Sequence, residues 1–158
     1  MGDTKIAAIP YEERTDEQKL HSNWKKATGL FERSDWSASV MRVATSAEIA
    51  ANIYIRQFLL VDYALPATVV DALLMGANGL EGKFKRLIKP VADHRGTWHE
   101  LKGLRKQIES LNGHRNDVAH AGHFKNEEDA KLAFSDSLAI VQSLAPRESS
   151  TLALPYAP

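Results

Sequence analysis

The chain has 158 residues, with 20 basic and 20 acidic side chains and a formal net charge of zero. This length favours one domain with an ordinary core, and the neutral balance excludes a simple basic coat protein for nucleic acid. The absence of cysteine excludes disulfides, thiolate metal sites and a cysteine nucleophile, and it agrees with a cytoplasmic location. The sequence also lacks the long apolar run of a membrane span and the pattern of a secretory signal.

Apolar residues recur at helical spacing along nearly the whole chain. Thr15 and Gln18 form a predicted capping box that begins the first helix, over residues 12–31. Ser34 is predicted to cap a second helix over residues 36–61, which is apolar on nearly every side near its end and is therefore expected at the centre. Pro66 suits the first turn of a third helix.

Glycines at 76, 79 and 82 then interrupt the pattern, which resumes until Pro90. Thr97 and Glu100 form a second predicted capping box, and the helix that it opens is expected to loosen or end at Asn112-Gly113. The last helix is predicted from about Glu127, and the segment after Pro146 is predicted to be a flexible tail.

These elements predict an all-α bundle without strands or internal repeats. We expect a single domain over residues 12–145, a flexible N-terminus over 1–11 and a flexible C-terminal tail over 146–158. The predicted core consists of Trp36, Val40, Tyr54, Phe58, Leu73, Phe84, Leu87, Leu104, Ile108, Phe134 and Leu138.

The neutral total hides a basic segment in the middle of the chain. Residues 83–115 hold nine basic and three acidic side chains, and five of the six histidines lie between positions 94 and 123. A solvated helical face explains most charge runs of this kind. The alternative is a phosphate-binding surface beside a histidine site.

Several known chemistries are absent from the sequence. It has no HExxH or GxSxG motif, no Glu followed three residues later by His, and no P-loop at Gly82-Lys83. The His120-x-x-His123 pair, with three more histidines nearby, lacks a carboxylate at a metal-ligand spacing, so neither a metal nor another cofactor is expected.

One segment, residues 112–122 with the sequence NGHRNDVAHAG, resembles the R-x4–6-H motif of HEPN-domain proteins. The order of predicted helices around it agrees with that family, and Glu48 resembles the acidic position of its first core helix. The resemblance covers about residues 36–145, so that the helix over 12–31 is an N-terminal addition. It implies a HEPN-like up-down helical bundle.

The resemblance implies two functions. HEPN proteins with an intact motif are typically metal-independent ribonucleases, many of them toxins or abortive-infection effectors, whereas others are non-catalytic interaction modules. One toxin subgroup carries a tyrosine two residues after the motif histidine. Gly122 occupies that position here, which departs from the subgroup.

The chemistry of RNA cleavage explains why these residue types fit the motif. Histidine is the residue type that serves acid–base catalysis near neutral pH, so His120 suits that role, while Arg115 offers a cationic donor fork to phosphate oxygens. Asn116 can orient either partner by hydrogen bonds. Substrate phosphates are expected to contact Lys102, Arg105, Lys106 and His114.

Structural roles are the alternative for each motif residue. Arg115 would then pair with Asp117 or with the carboxyl end of a helix, Asn116 would cap a helix, and His120 would be an interhelical histidine. Asn116 and His120 share a helix face, whereas Arg115 and His120 lie about 140° apart. Arg115 must therefore reach round the helix or precede its start.

A single motif supplies one acid–base histidine, whereas cleavage uses both a base and an acid. We therefore expect a homodimer in which two motifs face one cleft, as HEPN domains commonly pair. The alternative is a monomer with solvent or Asp117 as second proton carrier. RNA is the expected substrate, and an antitoxin or regulatory protein is a further expected partner.

Overall fold

In a computed structural model of the chain, residues 8–121 and 124–157 are described. Helices cover 81% of the residues in these two ranges, which contain no strand, and this confirms the all-α bundle. The helices are α1 (Asp16–Glu32), α2 (Trp36–Arg56), α3 (Ala67–Gly76), α4 (Gly79–Lys83), α5 (Lys89–Arg95), α6 (Trp98–Leu101), α7 (Arg105–Ala121), α8 (Glu127–Leu144) and α9 (Pro146–Ser149).

The central position predicted for the second helix is correct. α2 packs mainly against α1 and α8 and also contacts α7 and α4. Its buried residues include serines and alanines as well as Val40, Val43 and Ile55, so that neighbouring helices approach closely on several sides. Ser137 of α8 donates a hydrogen bond to the Val43 carbonyl oxygen at 2.8 Å, which satisfies its buried hydroxyl.

The cap predicted at Thr15 is confirmed, and two others are not. The Thr15 hydroxyl accepts from the Gln18 amide at 3.2 Å, and the Gln18 side chain accepts from the Thr15 amide. At α2 the cap is Asp35, whose carboxylate accepts from Ala38, while Ser34 has a left-handed backbone. Thr97 makes no side-chain cap bond, and α6 ends after four residues.

Two π-helical turns change the predicted register. One, Gln57–Asp62, follows α2, and its wider turn rotates the apolar stripe so that Leu59 is buried and Val61 faces solvent. The other, Phe84–Ile88, joins α4 to α5 and lets the helical path continue past Pro90. The stop predicted at Pro90 is therefore wrong, because the wide turn relieves the steric conflict of the proline ring.

Ten of the eleven predicted core residues lie in or against the core. Val40, Tyr54, Phe84, Leu104, Ile108 and Phe134 are buried, and Trp36, Phe58, Leu87 and Leu138 are partly buried against them. Leu73 is exposed, and its prediction was wrong. It belongs to α3, a helix with apolar residues on more than one side, of which only Val70 and Leu74 are buried.

The C-terminal segment is packed instead of forming the expected flexible tail. The Trp24 indole N–H donates to the Ala153 carbonyl at 2.9 Å, and the Tyr156 hydroxyl donates to the Lys131 carbonyl at 2.8 Å. The Tyr156 ring lies 5.6 Å from that of Phe31, between centroids. The expected N-terminal flexibility falls mainly on residues 1–7, outside the described residues.

Candidate functional site

All residues of the R-x4–6-H motif lie on α7, which runs without a break from Arg105 to Ala121. The break predicted at Asn112-Gly113 is therefore wrong. Burial of Ile108 and Leu111 on the inner side of α7 outweighs the cost of about 1 kcal/mol for a glycine inside a helix. The Asn112 side-chain amide also donates to a Glu81 carboxylate oxygen of α4 at 3.2 Å, which holds this turn against the bundle.

The solvent side of α7 forms a surface that we call the outer face. It consists of exposed residues recurring at alternating steps of three and four, namely Lys106, Glu109, Gly113, Asn116 and His120. Asn116 and His120 lie one helical turn apart on it, about 6 Å along the axis. An imidazole, an amide and a cation therefore share one accessible surface.

Arg115 lies on a different side of the same helix. It is half-buried and continues the spacing of Ile108, Leu111 and Val118, which form the inner stripe of α7. Because five residues separate it from His120, the two directions differ by about 140°. Arg115 does not precede the helix start, so only its long side chain could carry the guanidinium toward the outer face.

His114 faces helix α8. Burial raises the pKa of Asp136 on α8, and a hydrogen bond from Ser110 and the nearby His114 partly offset this effect. His114 Nδ1 and Asp136 Oδ2 are both buried, and neither has a hydrogen-bond partner among the described residues. His114 is thus part of a polar contact between α7 and α8, apart from the other predicted substrate contacts.

Asp117 is held by the segment that follows the motif. The Lys125 ammonium, which is nearly buried, donates to an Asp117 carboxylate oxygen at 2.8 Å. The Lys125 amide donates to the hydroxyl of Ser37, in the first turn of α2, at 2.9 Å. These contacts fasten the last turns of α7 to the beginning of α2, and they give Asp117 a cationic partner other than Arg115.

Seven of the nine cations in the basic segment fall into two groups. Four of them form ion pairs of 2.6–2.9 Å: Lys83 with Glu48, Lys85 with Glu81, Lys89 with Asp93, and Arg95 with Asp62. The predicted phosphate contacts Lys102, Arg105 and Lys106 are exposed, and no described carboxylate lies within 4.0 Å of them. These three are available to an anionic ligand.

Glu48 does not join the motif. Its carboxylate binds the buried Lys83 ammonium at 2.7 Å, in the middle of α2. On its other side it lines a cavity of about 280 Å³ that opens toward α1. This ion pair holds α4 to α2.

Sequence reasoning missed two adjoining clefts between the start of α1 and the second half of α2. Their volumes are about 600 and 280 Å³, and they share Asp16, Lys19 and Arg56. Arg56 bridges Asp16 at 2.9 Å and Asp71 at 2.7 Å. Burial raises the pKa of Asp16, and Arg56 partly offsets this effect. Arg56 interrupts the apolar run of α2, and this pattern could have indicated a partly buried carboxylate partner.

The described residues contain no group of three or more histidine, aspartate or glutamate side chains that could hold a metal ion. His123 of the His120-x-x-His123 pair lies outside them. No helix in the described part of the chain is long and apolar enough to cross a membrane.

Comparison with protein families, with curated proteins and with solved structures finds no match to this chain. A functional interpretation therefore rests on the residues and their geometry.

Proposed function

We propose that the protein is a metal-independent endoribonuclease of the HEPN type. The observation that carries this proposal is the outer face of α7, where Asn116 and His120 are exposed one turn apart on the same side as Lys106. Together with Lys102 and Arg105, which precede it, this surface combines an acid–base group with cations that have no carboxylate partner.

The proposed reaction is transesterification. The 2′-oxygen attacks the adjacent phosphorus, its proton passes to a base, and the bond from phosphorus to the 5′-oxygen breaks as an acid protonates the leaving oxygen. The products are a 2′,3′-cyclic phosphate and a 5′-hydroxyl. His120 is the acid–base group, Arg115 stabilises the phosphorane, and Asn116 orients the phosphate.

The placement of these groups supports a composite site formed by two copies. One outer face offers a single histidine, and Arg115 points about 140° away from it. Two copies that meet through their outer faces would supply two histidines to one phosphate, with each arginine approaching from the edge of the contact. Gly113 lies at the middle of this face, where a Cβ would meet nothing within 4 Å, so the two helices can approach closely.

The test is cleavage of a mixed RNA pool by purified protein in EDTA. Wild type is expected to produce 2′,3′-cyclic phosphate ends, and Arg115→Ala and His120→Ala are each expected to lower the rate at least about 100-fold. His99→Ala is the matched control, because His99 is equally exposed but lies on α6. Equal cleavage by all four proteins would assign the activity to a contaminant and contradict the proposal.

A second function, a non-catalytic interaction module, is favoured by the inward position of Arg115. An arginine on the inner stripe of α7 can stabilise the bundle without meeting substrate. In that case no RNA is cleaved, His120→Ala leaves stability unchanged, and Arg115→Ala lowers it. If the protein is a toxin or a defence effector, either substitution relieves growth inhibition only under the ribonuclease proposal.

A further inference from the structure

Helix α3 presents an apolar surface to solvent. Of its ten residues, only Val70 and Leu74 are buried. Val69, Leu73 and Met75 keep 43%, 39% and 82% of their surface exposed. Apolar side chains that adjoin one another on a surface mark an interaction site.

The exposed residues of α3 follow the spacing of a helix-pairing face. Val69, Ala72, Leu73 and Gly76 stand at i, i+3, i+4 and i+7, and all four are exposed. Val70 and Leu74 form a separate stripe that faces the bundle. We call the four exposed residues the α3 face. This face has the pattern of a second packing surface, and the described residues leave it exposed.

The α3 face is complementary to itself. When two copies are laid antiparallel about a two-fold axis between Ala72 and Leu73, Val69 meets Gly76 and Leu73 meets Ala72 of the other copy. Each contact joins a large side chain to a small one. A Cβ on Gly76 would meet nothing within 4 Å in the single chain, so the space for a partner's valine is open.

Charge also favours a second copy as the occupant. The one charged residue of α3 is Asp71, and its carboxylate pairs with Arg56 at 2.7 Å. Two such faces can therefore meet without unpaired like charges, whereas a strongly charged partner would find no complement on them. We propose that two copies of this chain pair antiparallel through the α3 face.

This interface is separate from the ribonuclease site. Lys125 fastens the last turns of α7 to the start of α2, whereas α3 follows the other end of α2. The 21 residues of α2 span about 30 Å. Pairing through the α3 face leaves both outer faces of α7 open, and the proposal stands or falls independently of RNA cleavage.

Disulfide trapping tests the pairing and its register, because the natural chain has no cysteine. Ala72→Cys lies beside the two-fold axis and is expected to form a covalent dimer under mild oxidation. Residue 69 of one copy lies about 10 Å along the helix axis from residue 69 of the other, and the same holds for residue 76. Val69→Cys and Gly76→Cys are therefore expected to cross-link only when the two variants are mixed. Leu132→Cys on α8 is the control, since Leu132 is 48% exposed.

Sedimentation of the full chain supplies the second measurement. A pair of ten-residue helices buries less than the roughly 1,200 Å² of a standard interface. We therefore expect a weak dimer, whose fraction rises with protein concentration. Leu73→Glu places like charges across the axis and is expected to lower the average mass at high concentration, while Leu132→Glu leaves it unchanged. Circular dichroism checks that both variants are folded.

Two results would overturn the proposal. If Leu132→Cys cross-links as fast as Ala72→Cys, the trapping reports random collision. If the average mass of wild type equals that of Leu73→Glu at every concentration, the α3 face does not pair with itself, and a different protein must cover it.

Discussion

At the scale of single residues, the ion pair between Lys83 and Glu48 decides how α4 is held to α2. Lys83 retains 7% of its side-chain exposure, whereas Glu48 retains 30%. Glu48→Ala leaves a nearly buried ammonium without a counterion, so we expect a loss of about 2–4 kcal/mol in the free energy of unfolding, measured in urea. The double variant with Lys83→Met should recover most of this lost free energy of unfolding.

Asp93→Ala is the control for this pair, because it breaks the exposed contact with Lys89 and should cost less than about 0.5 kcal/mol. If Glu48→Ala instead abolished RNA cleavage while leaving stability unchanged, Glu48 would act at the site and its structural role would be contradicted.

The contact between α7 and α8 makes a prediction about pH. Burial raises the folded-state pKa of Asp136 above the unfolded value of about 3.9, so the protonated acid is favoured in the folded protein. Its contribution to stability is therefore complete below about pH 4 and is lost as the pH rises through the folded-state pKa. Asp136→Asn cannot ionise. At pH 7 it should be more stable than wild type by about 1 kcal/mol, and at pH 4 equally stable.

Urea titrations at pH 4, 5.5 and 7 measure this difference. His114 and Tyr156 also face Asp136, and the same series in His114→Gln and Tyr156→Phe backgrounds separates the effect of these side chains from that of the carboxyl group. A loss of stability in Asp136→Asn at pH 7 would mean that Ser110 and His114 fully stabilise the carboxylate, contrary to the prediction.

At the scale of elements, periodicity predicted α1, α2 and α8 well, because each has one continuous apolar stripe and a side-chain cap near its start. The failures share a physical cause. The turn after α2, the passage through Pro90 and the continuity of α7 at Gly113 depend on tertiary contacts that overrule local preference. The prediction of which α3 residues are buried was wrong for another reason. This helix has two apolar stripes, and the sequence does not indicate which of them faces the bundle.

The site was predictable only in part. Spacing alone indicates that Asn116 and His120 share a face and that Arg115 does not. The inward direction of Arg115, the contact of His114 with α8 and the pairing of Asp117 with Lys125 depend on which side of α7 is buried. Packing against α2 and α8 determines which side of α7 is buried, and this packing cannot be predicted from a single sequence.

The continuity of α7 gives a direct prediction. Gly113 is inside the helix, and a Cβ there would meet nothing within 4 Å. Gly113→Ala should therefore raise the free energy of unfolding by about 0.5–1 kcal/mol, because alanine restricts the unfolded chain and favours the helix. Gly79→Ala is the contrasting variant, since Gly79 has a φ of 76° and alanine is strained there. Destabilisation by Gly113→Ala would contradict an unbroken α7.

The basic residues before the motif should determine the salt dependence of RNA binding. Replacing Lys102, Arg105 and Lys106 by glutamine removes the three proposed phosphate contacts, which should flatten the slope of log affinity against log salt by about 2 for a single strand. A 2′-O-methyl oligonucleotide, which cannot be cleaved, keeps binding apart from chemistry. The charge-matched control replaces three exposed cations, Lys25 and Lys26 on α1 and Arg33 at its C-cap. An equal change of slope in both triple variants would indicate that Lys102, Arg105 and Lys106 belong to an ordinary solvated helix face and do not bind RNA specifically.

At the scale of the whole molecule, α2 separates two surfaces with different chemistry. The end of α7, with its imidazole and amide, is fastened near the first turn of α2, whereas the apolar α3 follows the last turn. A second copy of the chain would complete each surface. Under the proposed function, cleavage uses two proton carriers while the outer face of α7 has one histidine, and no described residue covers the α3 face.

These two contacts lead to different outcomes when inactive chains are mixed. Arg115→Ala and His120→Ala chains that meet through the outer face of α7 would share one cleft with an intact arginine and an intact histidine, so we expect partial recovery of RNA cleavage in the mixture. Because α3 lies about 30 Å away along α2, recovery should persist when both chains also carry Leu73→Glu. Cleavage is measured at increasing ratios of the two chains, with native mass spectrometry to count mixed dimers. Mixed dimers without recovered cleavage would contradict the composite site, and recovery that disappears with Leu73→Glu would place the catalytic contact at α3.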